Sequence, residues 1–287
     1  MVDIPTPLIS PEALLARGLG SVLLLDARGG PDAAERYLAA HIEGARFVDL
    51  ERDLSGDTSH PEQGGRHPLP PVRRWAERVG QWGIDPSTPV VIYDDRGGAL
   101  AAARCWWMLR AIGHEPVAVL DGGLAAAQAA GLPISHKDDR GTVQPRGPYP
   151  ADAWLRPLVD VEAVERALAD PSWRVIDVRA RARYRGDEEP LDPVGGHIPG
   201  AIGLPLTDHL GDDGRFLSPE SLRAMYGSTA PGGAAPERTI LSCGSGVTAC
   251  HTLLAFEAAG LEGAPLYVGS FSEWSRSGRE VKTGDLP

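Results

Sequence analysis

The chain has 287 residues, a length that suits about two domains, and 42% hydrophobic residues are enough for packed cores, which excludes a disordered or fibrous protein. Lys and Arg number 28 against 39 Asp and Glu, and the resulting charge of −11 argues against a nucleic-acid or anionic-membrane surface. With no apolar run near the ~18–20 residues of a bilayer span and no secretory signal at Met1 to Ser10, a cytoplasmic, loop-rich protein is expected.

In chain order, short apolar runs bounded by Gly, Pro or Asp fall at 22–25, 90–93, 117–120, 174–178, 239–242 and 265–268. They have the look of buried parallel strands. Helical spacing in Ala-, Leu- and Arg-rich stretches occupies 71–82, 99–112, 160–169, 218–226 and 247–259. Alternation of this kind predicts an α/β fold, a mainly parallel sheet with helices on both faces.

The second half repeats the first. The run ending Asp26-Ala27-Arg28 returns as Asp177-Val178-Arg179, and Tyr37 with His41-Ile42-Glu43-Gly44-Ala45 returns as Tyr184 with His197-Ile198-Pro199-Gly200-Ala201. Pro89 to Asp94 matches Arg238 to Cys243, and Val119 to Gly123 matches Tyr267 to Ser270. Four matches in one order, about 150 residues apart, predict two similar domains. Their expected bounds are 1–137 and 155–287, joined by a polar, proline-rich linker at 138–154. His41 and His197 hold the same repeat position and read as structural.

The segment Cys243-Gly244-Ser245-Gly246-Val247-Thr248 leaves the end of an apolar strand and enters a helical pattern. Ligands bind at the carboxyl ends of strands in such sheets. Two glycines let successive N–H groups turn inward as an anion-binding nest, and the helix N-terminus adds positive potential. A cysteine there is favoured as thiolate, hence as a nucleophile. Its counterpart in the first half is Asp94, so only the second half carries a thiol at this point. Cys105 and Cys250 read as packing residues, and no Cys-x-x-Cys or Cys/His zinc spacing suggests a metal.

The repeat, His197-Ile198-Pro199-Gly200-Ala201 and the Cys243 loop resemble the tandem-domain rhodanese-type sulfurtransferases over nearly the whole chain. The loop is closest to the 3-mercaptopyruvate branch. The resemblance implies two rhodanese-like domains, the first catalytically silent with Asp94 at the cysteine position and the second catalytic. It implies sulfane-sulfur transfer from a small-molecule donor through a Cys243 persulfide. The acceptor would be a thiol, a thioredoxin-like protein or cyanide. Thiosulfate is the alternative donor, and a non-catalytic sulfur-carrier module the remaining reading. The chemistry as written calls for no cofactor and no metal.

Further residues carry over from the branch. Gly244, Gly246, Val247 and Thr248 would line the substrate, and Arg183 would hold the donor's charged end. A relay of Asp57, His67 and Ser245 would supply a proton to the leaving enolate, with His60 a competing histidine. One departure stands out: where the branch often has a second arginine, this chain reads Glu188-Glu189-Pro190-Leu191-Asp192. An acidic stretch is not expected to clamp a carboxylate.

Overall fold

A computed structural model describes residues 4, 7–138, 144–228 and 234–287. The chain folds as two compact units: Met1–Gly56 with Pro70–Leu155 and Asp212–Arg215, and Asp57–Leu69 with Arg156–Gly211 and Phe216–Pro287. Each is built on one five-stranded parallel sheet, as the α/β reading predicts.

In the first unit the strands are β1 (Leu8–Ile9), β2 (Leu23–Arg28), β3 (Arg46–Asp49), β4 (Val90–Tyr93) and β5 (Val117–Leu120), in the order β1-β5-β4-β2-β3. The second has β6 (Leu158–Val159), β7 (Arg174–Asp177), β8 (Ile202–Gly203), β9 (Thr239–Ser242) and β10 (Leu266–Tyr267), in the order β6-β10-β9-β7-β8. The two orders coincide strand for strand. A small antiparallel pair, His41–Ile42 with Ile134–Ser135, is added to the first unit.

Local chemistry sets the elements. The helix Pro11–Arg17 starts at Ser10, whose side chain accepts the Ala13 N–H, and it ends at Gly18 with φ 85°. The helix Val161–Leu168 starts in the same way at Asp160, which accepts the Ala163 N–H. The β4 residues Val90 to Tyr93 are all buried, as are those of β9, Thr239 to Ser242, which is why both read as unbroken apolar runs.

The repeated residues do repeated work. Nδ1 of His41 donates to the Tyr37 carbonyl at 2.8 Å and its ring stacks on Tyr37, while Tyr37 Oη donates to the Ala45 carbonyl. His197 does the same with Tyr184, also at 2.8 Å, and Tyr184 Oη donates to the Ala201 carbonyl. Arg28 forks onto Asp26 and the Ala40 carbonyl, and Arg179 onto Asp177 and the Gly196 carbonyl. Each buried ion pair thus ties the end of its strand, β2 or β7, to a later stretch of chain.

Two features depart from the simple halves. The segment Asp57–Leu69, early in the sequence, belongs to the second unit. Of the expected linker, 139–143 lies outside the described residues, and the rest is not loose. Arg146 and Tyr149 donate their N–H groups to the Gly80 and Ala76 carbonyls, and Leu155 donates to that of Ala111. A Cβ on Gly80 would fall 2.2 Å from the Gly147 carbonyl oxygen, so only glycine admits this close crossing.

Candidate active site

Cys243 follows directly on β9, and its side chain is buried. Its carbonyl accepts the Phe271 N–H at 3.0 Å, and the Gly244 carbonyl accepts that of Ser272 at 2.9 Å. Gly246 has φ 72°, and a Cβ there would lie 2.4 Å from the Val268 carbonyl oxygen. Glycine is therefore required for the loop to curl against the end of β10. The helix Ala249–Ala258 begins just beyond.

Among the described residues, the backbone N–H groups of Gly244, Ser245, Val247 and Thr248 donate to no protein acceptor. Buried N–H groups are rarely left so. The corresponding loop of the first unit offers a comparison. Asp94, in the place of Cys243, turns its carboxylate into the equivalent loop and accepts N–H bonds from Arg96, Gly98, Leu100 and Ala102 at 2.7–3.3 Å. Burial pushes the Asp94 pKa up, and these four N–H groups oppose that rise. The first-unit loop carries its own anion, whereas in the Cys243 loop no protein carboxylate among the described residues accepts from the N–H groups of Gly244, Ser245, Val247 and Thr248.

Ser270 is the only non-glycine residue with positive φ among the described residues, at 51°. Its buried Oγ accepts the Cys243 N–H at 3.1 Å, donates to the Tyr267 carbonyl at 2.8 Å, and lies 4.0 Å from Cys243 Sγ. The repeat has Gly123 at this position, so the second unit holds a strained serine where glycine would be relaxed. Sequence reasoning passed over Ser270, although the serine-for-glycine exchange was visible in the repeat.

The segment Asp57–Leu69 brings further side chains to the loop. The Gly64 N–H donates to Glu273 at 2.7 Å and the Arg66 N–H to Ser272 Oγ at 3.0 Å. Gly65, at φ 79°, could carry no Cβ: the Gly269 carbonyl oxygen would lie 2.4 Å from it. Docked in this way, His67 places Nδ1 2.7 Å from Ser245 Oγ.

Asp57 is not brought to this pair. It is exposed, and its carboxylate accepts the Ser59 N–H at 3.0 Å and the Ser59 hydroxyl, bonds that hold its pKa below the usual range. The Asp-Thr-Ser sequence closes its own side-chain turn instead of reaching His67. His60 is exposed and pairs with Glu62, so it too stands apart.

Arg183 does reach the loop, and the acidic stretch that follows is its support. Glu189 accepts from Arg183 Nε and Nη2 at 3.1 and 2.7 Å, and from Arg179 at 3.4 Å. Asp192, with its side chain fully buried, accepts from Arg66, Arg183 and Arg276. Arg179 lies over the Phe271 ring at 3.8 Å. The carboxylates read from sequence as an obstacle to anion binding are buried anchors of an arginine cluster.

The family model of the rhodanese-like domain matches residues 11–130 and 160–277. The chain belongs to the rhodanese-like sulfurtransferases. Among its relatives, the probable 3-mercaptopyruvate sulfurtransferase of Pseudomonas aeruginosa is 42% identical over 97% of this chain and 98% of that one. The putative thiosulfate sulfurtransferase SseB of Mycobacterium tuberculosis is 39% identical over 88% of each chain. In structure, the 3-mercaptopyruvate sulfurtransferase from Leishmania major superposes with a TM-score of 0.81 at 29% identity, covering 94% of this chain and 74% of that one. This rhodanese-like protein is thus a two-domain sulfurtransferase, which moves sulfur from a donor to a thiol-type acceptor. Among the described residues, no helix is long and apolar enough to cross a membrane.

Proposed function

We propose that the protein is a 3-mercaptopyruvate sulfurtransferase working through a persulfide on Cys243. The observation that carries the donor is the 2.7 Å hydrogen bond between His67 and Ser245, inside the loop that holds the cysteine. A proton-carrying pair suits a donor whose leaving group is a carbanion equivalent. Sulfite, the leaving group of thiosulfate, departs as a stable anion and needs no such help.

In the first half-reaction the Cys243 thiolate attacks the donor thiol sulfur. An S–S bond forms, the C–S bond breaks, and its electron pair leaves on the enolate of pyruvate, which takes a proton at carbon to become pyruvate. His67, acting through Ser245, supplies that proton, and Arg183 orients the donor's carboxylate. The unpartnered N–H groups of Ser245, Val247 and Thr248 hold the charge developing on the outer sulfur. In the second half-reaction an acceptor thiolate, whether of a small thiol or a thioredoxin-like protein, attacks that sulfur. It leaves as the acceptor's persulfide and Cys243 thiolate returns; cyanide leaves as thiocyanate. Asp57 has no part in this scheme.

Thiosulfate remains a second donor reading, because guanidinium groups hold a sulfonate as readily as a carboxylate. A cytoplasmic setting belongs to the same proposal: no disulfide joins Cys105, Cys243 or Cys250, and the cycle needs Cys243 reduced. Side-by-side turnover of both donors tests the assignment. The expected result is a higher kcat/KM for 3-mercaptopyruvate; a thiosulfate preference would overturn it.

A further inference from the structure

A donor carboxylate in this site has one guanidinium foreseen from sequence, Arg183, and none in the 188–192 stretch where its branch often keeps another. The structure holds a second one from elsewhere. Arg66 Nη2 lies 3.2 Å, and Arg183 Nη1 3.3 Å, from the point a Cβ on Gly244 would occupy. Each guanidinium is tethered from behind, Arg66 by Nη1 on Asp192, and Arg183 by Nε and Nη2 on Glu189 and Asp192. The two nitrogens that converge over Gly244 have no partner among the described residues.

We propose that Arg66 is the second donor-binding arginine of this site, and that with Arg183 it clamps the donor carboxylate over Gly244. The inference rests on the mercaptopyruvate reading. Glycine at 244 lets both guanidinium groups close on the backbone one residue from the nucleophile, where a Cβ would crowd them. Two converging N–H edges are the arrangement a carboxylate accepts from on both oxygens. The charges also fit: Arg66, Arg179, Arg183 and Arg276 face Asp177, Glu189 and Asp192, a surplus of one positive charge before thiolate and donor are counted. Asp192 does not repel the donor, because three arginines already occupy its oxygens. Arg66 is placed by Gly65 and by its own N–H on Ser272 Oγ, so its side chain starts from a fixed backbone.

The test compares 3-mercaptopyruvate with mercaptoacetone, which has the same thiol and ketone but a methyl group in place of the carboxylate. Arg66→Gln is expected to raise KM for 3-mercaptopyruvate about 10- to 100-fold, the scale of a lost charged hydrogen bond, and to change kcat/KM for mercaptoacetone less than about 3-fold. Arg66→Lys, which keeps a charge for Asp192, should give an intermediate loss on 3-mercaptopyruvate, and it serves where the glutamine variant folds poorly. Equal losses on the two donors would overturn the proposal and make Arg66 a structural residue. A parent enzyme preferring thiosulfate would overturn the donor reading instead, and the ratio between the two thiol donors would still decide Arg66.

Discussion

His67 and Ser245 stand 178 positions apart in sequence and share a 2.7 Å hydrogen bond, Nδ1 to Oγ, within the loop that carries Cys243. The bond exists because Gly64, Gly65 and Arg66 dock on residues 269–273 immediately before the histidine. A backbone position two residues away therefore fixes His67 against Ser245.

His67→Ala should lower kcat for 3-mercaptopyruvate by about 100-fold or more, the usual worth of a general acid, and change thiosulfate turnover less than about 3-fold. Steady-state assays with the two donors check this. Equal losses would assign His67 to packing.

Ser270 separates strain from function. Ser270→Gly relieves the positive φ but removes the hydroxyl, while Ser270→Ala keeps the strain and removes the hydroxyl. Both should slow persulfide formation alike, because both leave the Cys243 N–H without its acceptor. Thermal unfolding should rank the glycine variant above the alanine variant by about 1 kcal/mol, the order of an αL penalty. A fully active Ser270→Gly would show the hydroxyl to be dispensable.

Gly246→Ala places a methyl group 2.4 Å from the Val268 carbonyl oxygen at φ 72°. Activity with both donors should fall at least about 100-fold, since a shift near 1 Å in a positioned site costs that much. Parallel loss with both donors, read by initial rates, distinguishes this from the donor-selective effect of His67.

How far the sequence carried varies from residue to residue. The two sheets and the Cys243 loop are legible because apolar runs and glycine spacing are local signals. Strands β1, β6 and β8 are two residues each, too short to show a period. Arg66 is not legible in the sequence because its placement depends on the docking of 64–67 against 269–273, and no local pattern encodes that contact. Glu189 and Asp192 misled for a related reason: a carboxylate's effect depends on what it faces, and these face inward onto arginines. The expectation for Asp57 rests on family likeness alone, and its neighbour Ser59 captures it.

The second unit should also be acid-labile. His209 and His251 are buried with neither ring nitrogen hydrogen-bonded, their rings 6.0 Å apart and Phe216 stacked on His251. Burial lowers the pKa of His209 to about 4; burial, with His209 adding to it, lowers that of His251 to about 3. The unfolded chain, with ordinary histidines near pH 6.5, then binds protons first. Stability is full above that pH and falls by about 1.4 kcal/mol per pH unit per histidine as acid is added, down to the folded pKa. His114, lowered to about 4, adds to this in the first unit. His251→Phe should flatten the decline of the unfolding midpoint between pH 6.5 and 4.5, a window above most carboxylate titrations. An unchanged slope would show that His251 does not contribute.

The most direct test of the account is intact-protein mass after brief exposure to 3-mercaptopyruvate without an acceptor. The parent should gain one sulfur atom, lose it on addition of a thiol or cyanide, and release one pyruvate per chain, while Cys243→Ser gains nothing. A parent that turns over donor without acquiring the sulfur, or a Cys243→Ser variant that still carries it, would contradict a persulfide on Cys243.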